Sequence, residues 1–185
     1  MGRWEPDARG RLERAALELY FDRGFDQTTV AEIAERAGLT ERTFFRHFAD
    51  KREVLFRGDE LAQRLTTALT GVPDSVTALD AVAAALESLS DFFDERRPYS
   101  EKRQAVIAGN AGLRERELIK LASLAATIGE ALRQRGVTEP AASLTAEAGM
   151  AVFRVAFDRW LADPQRRGLA VHLRESLAHL RKIAT

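Results

Sequence analysis

Between Thr40 and Lys51 the chain reads TERTFFRHFADK, a run rich in the residue types that grip nucleic acid. Arg42 and Arg46 each carry a planar fork of donors that matches the O6 and N7 edge of guanine in bidentate fashion. The Thr43 methyl and hydroxyl suit a thymine methyl or a phosphate oxygen, and His47 adds a donor. On a helix, at about 100° per residue, Phe44 and Phe48 fall on one side while Arg42, Thr43, Arg46 and His47 spread over the other. Phe45 lies on the flank between the two groups. The pattern predicts rings packed inward and a small cationic face outward. About eight residues rising ~1.5 Å each make a rod of roughly 12 Å, close to the width of the B-DNA major groove. A merely solvated surface helix is the competing reading of any such charge run.

Such a rod can read bases only if neighbouring elements hold it outward. A first helix carries Leu12, Ala15, Ala16, Leu19 and Tyr20 on one stripe and stops at Gly24, after which Phe25 turns inward. A second begins at Thr29, whose hydroxyl forms a capping box with Glu32, and presents Val30, Ile33, Ala34 and Ala37 to the core. Gly38 ends it, Leu39 plugs the turn, and Thr40 caps the short third helix. Asp50 and Glu53 predict another capping box opening a fourth helix at Lys51. Thr29 and Lys51 then stand at helix N-termini, where free amides favour a phosphate and fix register without reading sequence. Two capped helices, a glycine turn and a cationic outer face form a helix-turn-helix signature.

Beyond Lys51 the chain becomes Ala- and Leu-rich helices, broken at Gly71–Asp74, near Arg97–Ser100, and at Gly109–Gly112, Gly136–Pro140 and Asp163–Gly168. No alternating strand pattern appears, so the fold class is all-α: a three-helix helix-turn-helix domain over residues 1–50, then a helical bundle over 51–185, about nine helices in total. The absence of cysteine excludes disulfides, thiol nucleophiles and zinc ribbons. Lys plus Arg and Asp plus Glu both number 28, so any cationic surface must come from local arrangement. No signal-peptide pattern and no long apolar run appear, which predicts a cytoplasmic protein without a membrane partner. His172 and His179 are too far apart in sequence to form the i, i+4 pair that holds one metal, and read as surface or interface residues. No phosphate-cradling loop, nucleophile elbow or dinucleotide fingerprint is present, so neither catalysis nor a cofactor is expected.

The segment from Ala15 to Leu55 resembles the DNA-binding domain of the TetR family of bacterial transcriptional regulators. The resemblance lies in the Ala-rich first helix, Phe21-x-x-Gly24-Phe25, Thr28-Thr29-Val30, Ile33-Ala34-x-x-Ala37-Gly38 and His47-Phe48-x-x-Lys51. It implies a homodimer that binds a palindromic operator in double-stranded DNA through paired third helices and is released by a small, largely apolar effector. Carried onto this sequence, the DNA-facing positions are Thr29, Thr40, Arg42, Thr43, Phe45, Arg46, His47 and Lys51. Phe45 stands where the family commonly has tyrosine, which removes a hydroxyl contact to phosphate and leaves van der Waals contact with the backbone. Arg42 replaces a residue that is frequently small, which implies an added base contact or, alternatively, a tilt of the helix.

The same resemblance places an effector cavity among the middle helices, walled by Phe92, Phe93, Ile107, Leu121, Leu124, Ile128, Met150, Phe153 and Phe157, with Arg103 and Arg154 available to an anionic group. It places a dimer interface on the last two helices, Pro140–Ala162 and Leu169–Ala184, through Ala148, Val152, Leu169, Leu173, Leu177 and Leu180. An apolar stripe of this kind equally suits the domain's own core. An activator or an effector-independent regulator remains the alternative, with an all-helical enzyme or a protein-binding adaptor more remote.

Overall fold

The structure is a computed structural model that describes residues 7–56 and 58–184. Among these, all regular structure is helical: α1 (Ala8–Arg23), α2 (Val30–Arg36), α3 (Glu41–His47), a 3-10 turn (Glu53–Leu55), α4 (Gly58–Thr70), α5 (Ala78–Glu87), α6 (Ser90–Asp94), α7 (Arg97–Ala108), α8 (Ala111–Gln134), α9 (Ala141–Ala162) and α10 (Leu169–Ile183). The expected count of about nine becomes ten because α6 forms a short helix of its own. The helix expected to open at Lys51 does not form there. Asp50 accepts from the Arg52 and Glu53 amides at 2.7 and 3.1 Å, but these bonds close a local turn ahead of a 3-10 turn whose N-cap is Arg52, and the Glu53 carboxylate meets Arg116. Phe56 then turns extended and is buried, which ends the helical run before α4.

Contacts divide the chain into two compact units: Met1–Arg57 with Glu101–Leu118, and Gly58–Ser100 with Ile119–Thr185. In the first, α1 buries Leu12, Ala15, Ala16, Leu19 and Tyr20, α2 buries Ile33 and Ala34, and α3 buries Phe44. Complete burial of a ring such as Phe44 stabilises by roughly 1.5–3 kcal/mol, so α3 is held by its apolar back rather than by its seven residues of helix propensity. Tyr20 is buried and donates to the Lys51 carbonyl at 2.6 Å; burial first, and the Asp50 charge second, push its phenol well above its ordinary value. Residues 101–118 join this unit through side chains. Arg103 donates to the Leu55 carbonyl at 2.7 Å and pairs with Glu117 at 2.9 Å, Arg116 meets Glu53, and Asn110 donates to Asp26 at 3.3 Å.

In the second unit α9 packs on α5 and α10, and the core is completed by Leu65 and Leu69 of α4 and by Leu124, Ala125, Ile128, Ala131 and Leu132 of α8. Gly149 permits close approach: a Cβ there would fall well inside van der Waals contact with Val82 Cγ1. Buried Arg97 serves the end of α9, donating to the carbonyls of Trp160 at 2.5 Å, Asp163 at 3.2 Å and Arg167 at 3.3 Å. Asp163 gathers the α9–α10 turn by accepting from Arg167 Nε at 2.8 Å and meeting His172 Nε2 at 3.0 Å. His172 is thus a buried structural residue, not the surface or interface histidine expected; His179 is exposed.

The stripe assigned to a dimer interface also belongs here. Val152, Leu169, Leu173 and Leu177 are buried in the unit's own core, and Leu180 packs against it. The short 163–168 connection folds α10 back onto α9, so the stripe meets its own chain first. Among the described residues no helix is long and apolar enough to cross a membrane.

Candidate nucleic-acid interface

The interface is assembled around one left-handed residue. Gly38 has φ 66°, and its amide and that of Leu39 donate to the carbonyls of Glu35 and Ala34, closing α2 at 2.9 and 2.8 Å. Arg11 of α1 donates to the Ala37 carbonyl, fixing the turn from outside. Thr40 then opens α3: its hydroxyl oxygen accepts the Thr43 amide at 3.2 Å and lies 3.1 Å from the Thr43 hydroxyl. Phe44 and Phe48 are buried, as the helical phase predicts.

Arg42, Phe45 and Arg46 are exposed on the outer face, Thr43 is half-buried, and the four line one open concavity. Elsewhere among the described residues of this unit several guanidinium groups are committed: Arg9 pairs with Glu13, Arg23 with Glu32, Arg36 with Glu18, Arg52 with Asp50. Arg42 and Arg46 meet no carboxylate among the described residues, and are therefore free to donate to a nucleic acid. An unpaired guanidinium is left in solvent at little cost and gains most when a fork of acceptors arrives.

The other expected contacts divide. Thr29 is exposed, but its amide and hydroxyl both donate to Glu32, at 2.8 and 2.9 Å, and its hydroxyl oxygen accepts the Glu32 amide. These bonds hold the Glu32 carboxyl below its ordinary range. The capping box that places α2 thus also sets a carboxylate where a phosphate was expected. Lys51 differs more. Its ammonium donates to the carbonyls of Phe25 at 3.0 Å and Thr28 at 2.9 Å and lies 4.5 Å from the centre of the Phe25 ring. It braces the α1–α2 connection, a long-range role that spacing could not disclose. His47 is half-buried; burial first, then the charges of Arg46 and Arg9, hold its imidazole below its ordinary value and favour the neutral form. Its Nε2 is enclosed without a hydrogen-bond partner.

The residues assigned to an effector cavity fall into different places. Arg103 and Ile107 belong to the first unit, where Arg103 is spent on Leu55 and Glu117. Arg154 is exposed. Leu124, Ile128, Met150 and Phe153 are core of the second unit, with Phe93, Leu121 and Phe157 packed against it. Phe93, Phe153 and Phe157 stack mutually at 5.5–5.8 Å, and Phe157 continues to Trp160 at 5.2 Å. Phe92 lies at the margin of this cluster, edge-on to Phe93, with the guanidinium carbons of Arg64 and Arg96 4.8 and 4.3 Å from its ring centre. Arg64 and Arg96 were not singled out in the sequence.

Comparison with known proteins agrees with this geometry. Residues 13–57 match the family model described as bacterial regulatory proteins, tetR family, and residues 76–184 match that of the MftR C-terminal domain. The putative mycofactocin biosynthesis transcriptional regulator MftR of Mycobacterium tuberculosis is 27% identical over 169 residues, covering 88% of this chain and 84% of that protein. The HTH-type transcriptional regulator TcmR of Streptomyces glaucescens is 38% identical over 82 residues, 44% of this chain but only 36% of TcmR. Among solved structures, Thermus thermophilus FadR, a TetR-family transcriptional repressor in complex with lauroyl-CoA, is 25% identical with a TM-score of 0.55 and coverage of 92% of this chain and 91% of that one.

Proposed function

Because the chain belongs to the tetR family of bacterial regulatory proteins, DNA-binding transcriptional regulators rather than enzymes, we propose that it is a repressor acting in the cytoplasm as a homodimer on a palindromic operator. The observation that carries the reading is the pair of unpaired guanidinium groups on the outer face of α3, backed by buried Phe44 and Phe48. Arg42 and Arg46 read base edges, Thr43 and the exposed end of α3 contact base or backbone, and Thr40 lies beside a phosphate, while Thr29 and His47 support the elements that carry these groups. Lys51 supports the fold. The first unit reads DNA, and the second dimerises and takes the effector.

The dimer surface we propose is the outer stripe of α9, not the stripe buried in the core. Leu144 and Val155 are 66% and 53% exposed, with half-buried Ala148 and Ala151 between them at helical spacing. Small residues flanked by larger apolar ones suit a close helix pair across a two-fold axis. The effector is an acyl thioester or a similar molecule with a long apolar body. The similarity to a FadR that binds lauroyl-CoA supports this class, as does the aromatic cluster from Phe93 to Trp160 with two guanidinium groups at its margin. Such a ligand weakens operator binding by preferring a dimer whose α3 helices are not about 34–36 Å, one DNA turn, apart.

Selection of bound sequences from random duplexes tests the reading, repeated with Arg46→Ala. The parent should enrich a palindrome, and the variant should lose roughly 1–3 kcal/mol of discrimination at one base of each half-site. No enrichment, or enrichment without two-fold symmetry, refutes it. A reporter in a deletion strain distinguishes repression, where signal rises, from activation.

A further inference from the structure

We propose that Phe45 reads the C5-methyl of a thymine in each operator half-site. The inference rests on α3 entering the major groove and adds the chemical group that its one exposed ring recognises. Phe45 is 56% exposed, yet its ring packs edge-on against Phe44 with centroids 5.4 Å apart and planes at 83°. Phe44 is completely buried, so the outer ring leans on one that is packed in the core. It lines the same concavity as Arg42, Thr43 and Arg46, which sets it beside the base-reading groups.

A phenyl ring has no hydroxyl to offer a phosphate, and pressing it against a hydrated phosphate gains little. On the floor of the major groove the one apolar projection is the thymine methyl, and a ring that covers it removes both surfaces from water. Contact with the sugar-phosphate backbone, the expectation from sequence, would leave affinity blind to that methyl. Covering one methyl is worth about a fourfold change in affinity.

The test uses the duplex selected by the parent, with each thymine of one half-site replaced singly by deoxyuridine, which pairs identically but lacks the methyl. Parent and Phe45→Ala are titrated at low salt, where weakened binding stays measurable. Circular dichroism checks that the variant, altered at an exposed ring, keeps its fold. The parent should bind about fourfold more weakly at one T·A pair, while Phe45→Ala responds to no substitution. A parent indifferent to every deoxyuridine overturns the proposal, and so does an equal loss in both proteins, which would assign the methyl to Thr43. A parent that selects no sequence at all removes the operator reading itself, an outcome visible before any uracil is introduced.

Discussion

Replacing Lys51 by methionine separates two roles that the sequence alone merges. Methionine keeps the length and apolar stem of the side chain and deletes the ammonium. In the structure that ammonium donates to the carbonyls of Phe25 and Thr28 and sits over the Phe25 ring. Hydrogen bonds from a charged donor are worth about 1.5–3 kcal/mol each, but Lys51 is only half-buried, so water recovers part of the loss. The cation–π contact adds about 0.5–1 kcal/mol at such a site. A net loss of about 2 kcal/mol is expected, read as a lower urea midpoint with an unchanged slope. Operator binding is then measured against salt concentration under conditions where the variant is folded. A brace leaves the slope of log affinity on log salt unchanged; a phosphate contact removes about 0.9 from it for each half-site. A stable variant with a shallower slope would refute the assignment of Lys51 as a brace.

Gly149→Ala should destabilise the protein by roughly 1–3 kcal/mol, because the new methyl meets Val82 in a packed core, and Val82→Ala in the same chain should recover part of that loss in thermal melts. Leu144→Glu combined with Val155→Glu should leave the fold intact, since both side chains are largely exposed, but yield a monomer by sedimentation; a persistent dimer would refute the α9 interface. Asp163 is held well below the usual carboxylate range, chiefly by Arg167, with help from the Gln165 and Arg167 amides and from His172. A depressed folded pKa gives stability that is present above the ordinary value of 3.8 and is lost as pH falls towards the folded one. Urea midpoints should therefore fall as pH drops below about 4, and Asp163→Asn should show a flatter acid limb while being less stable at neutral pH.

The elements around α3 were legible because their causes are local. The Thr29–Glu32 box, the positive φ of Gly38 and the Thr40 cap each involve residues within a few positions of one another, and the phase of Phe44 and Phe48 follows from helix geometry. What the sequence could not carry is the choice of partner. The stripe of Leu169, Leu173 and Leu177 announces a buried face but does not say whether its own α9 or a second copy covers it. Arg103 has the composition of a ligand-binding residue, and only the position of residues 101–118 in the first unit commits it to Leu55 and Glu117. Asp50 gathers the Arg52 and Glu53 amides but caps no helix: the burial of Phe56 in extended conformation outweighs the helical preference of the residues around it.

The distribution of charge then explains how a neutral chain can be selective for DNA. With 28 basic and 28 acidic residues, long-range attraction to phosphate is weak, and the first unit neutralises several of its arginines internally, Arg9, Arg23 and Arg36 among them. Pairing of that kind contributes little to stability at exposed sites, about 0–1 kcal/mol, yet it withdraws cations that would bind any duplex. Arg42 and Arg46 remain, one helical turn apart on a face that also carries Thr43 and Phe45. On the proposed reading, affinity depends on base edges meeting two forks and an apolar ring together. A surface that binds indiscriminately would instead carry more unpaired cations, whereas this unit bonds the Glu32 carboxylate to Thr29 and commits Lys51 to the Phe25 and Thr28 carbonyls.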